Sequence, residues 1–360
     1  MKTTTTKLAL ALAAILTVNY QLSICFAQGS LTPPGAPAPA MKSLDQIEPR
    51  TPIPFLPYYI FTAGSYYVVS NLTGIGAGND GIVVAADDVT VDLNGFTLFS
   101  GGSGGSGVHV GFGTHTNLWV RNGTLKGWGT AGVDALNATG SQFDHIQVYG
   151  NGGNGMTVGS GSTIKDSTAQ ANGLIGISAG NGAAISHCFA LTNGSYGFDE
   201  SYDGGVFDAC VALNNANTGF HVGGSRVVNC IAKGNGLDGI DAYNGSLVSG
   251  CLCSYNVLSG ISLGMNSVAL DNDCVNNNSS ASVSDAGILQ FFGPGRIEGN
   301  HISYGVGVGI TVSAGQTKVV VIRNTTAGNT NNAYSIPAGN DVGPWGQAAT
   351  ATSPWANIRN

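Results

Sequence analysis

Charge is scarce in this sequence. Among 360 residues there are 13 Lys and Arg and 20 Asp and Glu, for a formal net charge of −7. A chain so poor in cations carries no basic stripe, which excludes nucleic-acid binders that work by neutralising phosphates. Long apolar runs are missing after residue 27, so nothing beyond that point reads as a membrane-spanning helix. Nor does any stretch of the repeat place apolar side chains at i, i+3, i+4 and i+7, which excludes a helical repeat. Glycine, by contrast, is abundant at 56 residues, and much of it is set at regular intervals.

The N-terminal 27 residues have the order of a secretory signal. Lys2 and Lys7 precede and flank the apolar run Leu8 to Val18, and Cys25-Phe26-Ala27 offers a cleavage site before Gln28. Export to the periplasm or the extracellular space is the expectation, with a soluble mature chain. Residues 28–43 read as a Pro-rich linker, 44–80 as an N-terminal cap, 81–330 as the main body and 331–360 as a tail packed on it.

The body is one short phrase repeated. Gly155, Gly176, Gly197, Gly219, Gly239 and Gly260 each open a run such as Gly176-Ile177-Ser178-Ala179, at spacings of 21, 21, 22, 20 and 21 residues. A fixed period of this length marks a solenoid. Apolar residues alternate over three to five positions, rich in Val, Ile and Phe, and a Gly or Asn follows each run, so every unit is three short strands and three turns. That predicts an all-β, single-domain parallel β-helix of about eleven coils, stacked at roughly 4.8 Å. Residues one period apart then form files along the axis. Ile164, Ile185, Phe207, Val227 and Val248 should face inward, as should Ala169, Ala190, Ala212, Ala232 and Cys253. Ser167, Cys188, Cys210, Cys230 and Cys251 should share a tight bend, either as small buried thiols or as disulfides between neighbouring rungs. Asn172, Asn193, Asn215, Asn235 and Asn256 should form an amide ladder.

With the ending Asn340-Asp341-Val342-Gly343-Pro344 and Ser353-Pro354-Trp355-Ala356-Asn357, this repeat resembles a family of secreted bacterial right-handed parallel β-helix repeat proteins of the pectin-lyase-like superfamily. The resemblance covers nearly the whole mature chain. It implies the right-handed fold and, more loosely, carbohydrate chemistry, since the superfold hosts lyases, hydrolases, esterases, epimerases and adhesins. The Asn-Thr-Asp, Gly-His-Gly and Arg-Ile-Lys motifs of polygalacturonases are absent, as is an Arg-rich strand. Tyr196-Gly197-Phe198-Asp199 is similar to the start of the mannuronan epimerase motif, but Glu200-Ser201 stands where that motif has Pro-His.

Superfamily enzymes place their sites on the face that corresponds to the Gly-anchored strand. Its outward file should read His109, Asp134, Thr157, Ser178, Asp199, His221, Asp241 and Ser262. Asp199, His221 and Asp241 are therefore the candidate catalytic residues, with Tyr196, Glu200, Tyr202, Asp203, Asp238 and Tyr243 as substrate-binding candidates. Two rungs separate Asp199 from Asp241, about 9.6 Å, near the roughly 6.5–9.5 Å of inverting glycosidases. A solvated outward file also collects polar residues that do no chemistry. The expected partner is a polysaccharide, bound or processed by hydrolysis, elimination or epimerisation; the alternative is a non-catalytic, adhesin-like surface protein. No metal ligand set is expected, although Asp271-Asn272-Asp273 could hold Ca²⁺. Phe189, Val211, Ile231 and Leu252 should make an outward apolar stripe, covered by the tail through Tyr334, Ile336, Pro337, Trp345 and Trp355 or serving as a homo-oligomer interface.

Overall fold

The computed structural model describes residues 49–200, 203–280 and 284–359, so the signal, the linker and the first residues of the expected cap lie outside the described residues. Every element among them is a strand, and the strands pair in parallel. One coil is enough to show the plan. Thr163–Lys165 runs to a bend at Asp166-Ser167, Thr168–Gln170 follows, the chain turns through Asn172, and Ile177–Ala179 closes the unit. The first two strands of each coil belong to a 26-stranded wide sheet, and the third belongs to a 13-stranded narrow sheet. The described residues thus make about thirteen turns, near the eleven expected. The two additional strands are Tyr58–Ile60 and Tyr334–Ser335, from the segments read as cap and tail.

Local chemistry explains each corner. The residue entering the first bend is left-handed, with φ of 47° at Asp166 and 53° at His187, and so is the one before the Asn turn, 53° at Ala171. A left-handed residue reverses the chain direction in minimum length. The glycines that open each narrow-sheet strand are required by contact. A Cβ on Gly176 would stand 2.6 Å from the Gly197 carbonyl and 2.7 Å from the Asn193 amide.

The interior is filled by the predicted files. Ile164, Ile185, Phe207, Val227 and Val248 pair rung to rung and are all buried. In the Asn ladder, Nδ2 of each Asn donates to Oδ1 of the next, from Asn151 to Asn277, at 2.9–3.1 Å. Each also donates to an inner-strand carbonyl, as Asn193 does to Ala169, so these buried amides are well satisfied.

The other corner holds a finding the repeat did not announce. Ser167, Cys188, Cys210, Cys230 and Cys251 do stack in the bend, as buried free thiols after the serine, and the amide of Cys210 donates to the Cys230 sulfur at 3.4 Å. Hydrogen bonding to Cys210 and then burial push the thiol of Cys188 up, and bonding to Cys210 and Cys251 and then burial do the same at Cys230, which keeps both as protonated fillers. At Cys251 the file changes chemistry: its amide donates to Oδ1 of Asn272, and a second amide ladder continues through Asn300, Asn324 and Asn357 at 2.9–3.2 Å. The segment Asp271-Asn272-Asp273, which could hold Ca²⁺ by its sequence, lies at this corner. Asn272 turns into the corner, buried, while Asp273 pairs outward with His301 at 2.9 Å.

The tail extends the stack. Asp341–Val342 and Asn357–Arg359 pair with the last coil, and Tyr334 packs against Trp345 with ring centroids 4.2 Å apart. The apolar stripe far below is left uncovered, with Phe189, Ile231 and Leu252 exposed.

Candidate functional site

The narrow sheet carries the predicted outward file in the predicted order. His109, Asp134, Thr157, Ser178, Asp199, His221, Asp241 and Ser262 are successive partners in register. The strand period of two sets this: in Phe198–Glu200, Phe220–Gly223 and Ile240–Tyr243 the first and third residues face in and the second faces out. Three buried rings, Phe198, Phe207 and Phe220, form the floor, with Phe198 and Phe220 stacked at 4.7 Å.

On that floor three candidates meet through one imidazole. His221 Nδ1 lies 2.7 Å from Asp199 Oδ1, and its Nε2 lies 3.3 Å from the Tyr243 hydroxyl. Tyr196 stacks flat on the same ring, centroids 4.5 Å apart and planes 4° apart. Asp241 sits on the next rung, in register between His221 and Ser262. Burial alone would lower the pKa of His221, but the hydrogen bond and charge of Asp199, with the charge of Asp241, outweigh it and raise it. Burial raises Asp241, against the opposing pull of His221. Asp238, whose Oδ1 accepts from the Ser259 amide at 2.8 Å, is pushed up to about 7 by burial and then by the charge of Asp241. Tyr243 is pushed up to about 12, by burial first and then by Asp241 and Asp199, so it stays a phenol.

Not every candidate joins the group. Glu200 is fully buried and points into the core, a correction to its reading as a substrate contact. It accepts from the hydroxyl of Ser225 and from the amide of Asp203. The alternation that turns Asp199 outward turns Glu200 inward, so the signal was present. Asp203 is exposed on the loop beyond Glu200, linked to it through its backbone. Tyr202 lies outside the described residues. The carboxylates of Asp199 and Asp241 are two rungs apart as expected, but Asp199 is committed to His221 and is not a free base.

A recess of about 290 Å³ opens beside Asp241, lined by Tyr243, Asn244, Ser262, Gly264, Phe291 and Phe292. The two phenylalanines, half exposed and edge to face at 4.4 Å, were not foreseen. Adjacent aromatic residues in the turn after Ala286–Gln290, where a repeat turn calls for polar residues, are the signal that could have found them. No Lys or Arg lines the file or the recess. Among the described residues no cluster of His, Cys, Asp and Glu is arranged to hold a metal ion.

Comparison with known proteins agrees with this architecture. Residues 58–207 match the family model of the right handed beta helix region. The A-module of mannuronan C-5 epimerase AlgE6 from Azotobacter vinelandii superposes with a TM-score of 0.63 at 16% identity, over 83% of this chain and 91% of that one. The AlgE4 A-module from the same organism gives 0.62 at 17% identity, with the same coverage of 83% and 91%. A mutant tailspike protein of E. coli bacteriophage HK620 gives 0.53 at 12% identity, over 82% and 71%. None of the curated proteins matches the sequence. Identities this low speak for the fold alone, and on that ground the chain has a right-handed parallel β-helix fold.

Proposed function

We propose that this is an exported polysaccharide-processing protein whose site is the narrow-sheet face around His221, and that it works by general acid–base chemistry. The carrying observation is the relay from Asp199 Oδ1 through His221 to the Tyr243 hydroxyl, with contacts of 2.7 and 3.3 Å. Asp199 fixes the imidazole and supports its charge, so Nε2 is the atom that takes or returns a proton. Tyr196 covers one ring face and limits its solvation. Asp241, raised by burial, holds its proton to a higher pH than an ordinary carboxyl and is the donor toward a glycosidic oxygen. Phe291 and Phe292 beside it offer ring faces to a sugar. Elimination or epimerisation at a uronate needs a cation beside the sugar carboxylate, and no Lys or Arg lines this site. Hydrolysis of a glycosidic bond is therefore the favoured reaction.

A second reading rests on a specific feature: both imidazole nitrogens already have partners, which suits a rigid, non-catalytic glycan platform. Screening the chain against a panel of extracellular polysaccharides separates the two. Turnover that disappears in Asp199→Ala, with the melting transition retained, supports catalysis. No turnover on any polymer, with binding that survives Asp199→Ala, supports the platform and sinks the enzyme.

A further inference from the structure

A larger concavity, about 550 Å³, lies on the wide sheet, in coils that precede Asp199 and on a different face from it. Two outward files line it. Phe99, Lys126, Tyr149 and Gln170 are partners in register, and beside them run Thr124 and Gln147. Phe99 and Tyr149 expose 40% and 42% of their surface. The Lys126 ammonium sits 5.1 Å from the centre of the Tyr149 ring, which fixes a long side chain over the groove. No Asp or Glu lines the concavity. In a chain of net charge −7, a recess that holds a cation and no carboxylate is a local reversal of sign. Among the described residues no hydrogen bond ties the amides of Gln147 and Gln170 to other protein groups, so their donors and acceptors are free.

We propose that this groove is a second, non-catalytic glycan-docking site that takes a short oligosaccharide bearing an acidic unit. Its ring faces would lie on Phe99 and Tyr149, its carboxylate would meet Lys126, and its hydroxyls would meet Gln147, Gln170 and Thr124. Rungs repeat at roughly 4.8 Å, close to the length of one pyranose unit, so successive sugars meet successive rungs. The site belongs to a separate sheet and does not rest on the reading of His221.

Calorimetric titration of the full chain with trigalacturonate and trimannuronate, and with maltotriose as the neutral control, tests it. At least one acidic trisaccharide should bind, with maltotriose weaker by about tenfold or more. Lys126→Gln should remove that preference, and Tyr149→Ala should weaken binding by about tenfold. Both replaced side chains are exposed, and unchanged melting temperatures confirm that the variants fold. Asp199→Asn should bind as the parent does. Absence of binding by both acidic sugars overturns the proposal, as does binding undiminished in both groove variants or lost in Asp199→Asn. The last outcome would assign the ligand to the narrow sheet instead.

Discussion

His109–Asp134 and Asp199–His221 are the same pair of residue types on the same outward file, and only one of them is packed into a shielded cluster. His109 and Asp134 meet at 3.3 Å with about a third of each side chain exposed, 31% and 35%. In the second pair the contact is 2.7 Å and the exposures are 21% and 16%. Among the described residues no ring stacks on His109, whereas Tyr196 and Tyr243 hold His221 from two sides. Beneath His109 the strand buries Val108 and Val110; beneath His221 it buries Phe220 over Phe198. File position therefore supplies the residue types, and packing from flanking turns supplies the environment. An exposed ion pair contributes little, while a shielded one shifts the charges of its neighbours.

The largest effect should appear on breaking the two pairs in turn. His221→Ala is expected to lower turnover by about 10²–10⁴-fold, the usual contribution of a positioned general acid or base. His109→Ala should leave the rate at the parent level. Equal losses in initial-rate assays would mean that the file acts as one extended binding surface and that the contrast drawn from packing is mistaken.

The floor gives the next largest effect. Phe220→Ala removes a fully buried ring that stacks on Phe198 and meets Phe207 edge to face, and should cost about 3–5 kcal/mol in denaturant unfolding. Val108→Ala, under the exposed pair, removes less volume and should cost less. A Phe220→Ala variant no weaker than Val108→Ala would show that the aromatic floor adds nothing beyond the aliphatic one.

How much of this was legible depends on what a period of 21 residues can say. It tells which residues share a file, and so it placed Asp199, His221 and Asp241 on one face and stacked the thiols and the first amide ladder correctly. It does not tell how far a turn residue reaches. Tyr196 and Tyr243 were named as neighbours, but not the stacking or the shared imidazole. The second amide ladder was legible in part, since Asn272 lies 21 residues after Cys251. An insertion then stretches the next step to 28 residues, to Asn300, and hides the continuation. Phe291 and Phe292 belong to a turn outside the repeat consensus, where periodicity carries no information. Glu200 was misplaced by grouping residues by adjacency when alternation along the strand decides which way each one faces.

A smaller effect separates the pairs by pH. Asp238 belongs only to the shielded region, and its folded pKa of about 7 lies above the ordinary 3.8. The folded state then holds this proton more tightly than the unfolded chain does. The stability so contributed is complete below about pH 3.8 and is lost as the pH rises through 7. The melting temperature of the parent should fall across that window, and Asp238→Asn should flatten the fall. An unchanged slope in the variant would place the titrating group elsewhere.

The smallest effect concerns Glu200, for which the exposed region offers Val110 at the corresponding place after His109. Burial raises its pKa, and the bonds from Ser225 and from the amide of Asp203 oppose the rise without cancelling it. The contribution of its bound proton is present below the ordinary value of 4.5 and is lost as the pH climbs through the raised one. Glu200→Gln keeps an acceptor for the Asp203 amide, and the Ser225 hydroxyl can turn to accept from the new amide. The variant should match the parent within about 1 kcal/mol at acid pH and become the more stable of the two as the pH rises. Chemical unfolding at several pH values reads the difference directly. A variant weaker than the parent at alkaline pH would mean that the carboxylate charge is needed inside the coil, and that its burial holds a charged interaction and does not merely tolerate a neutral acid.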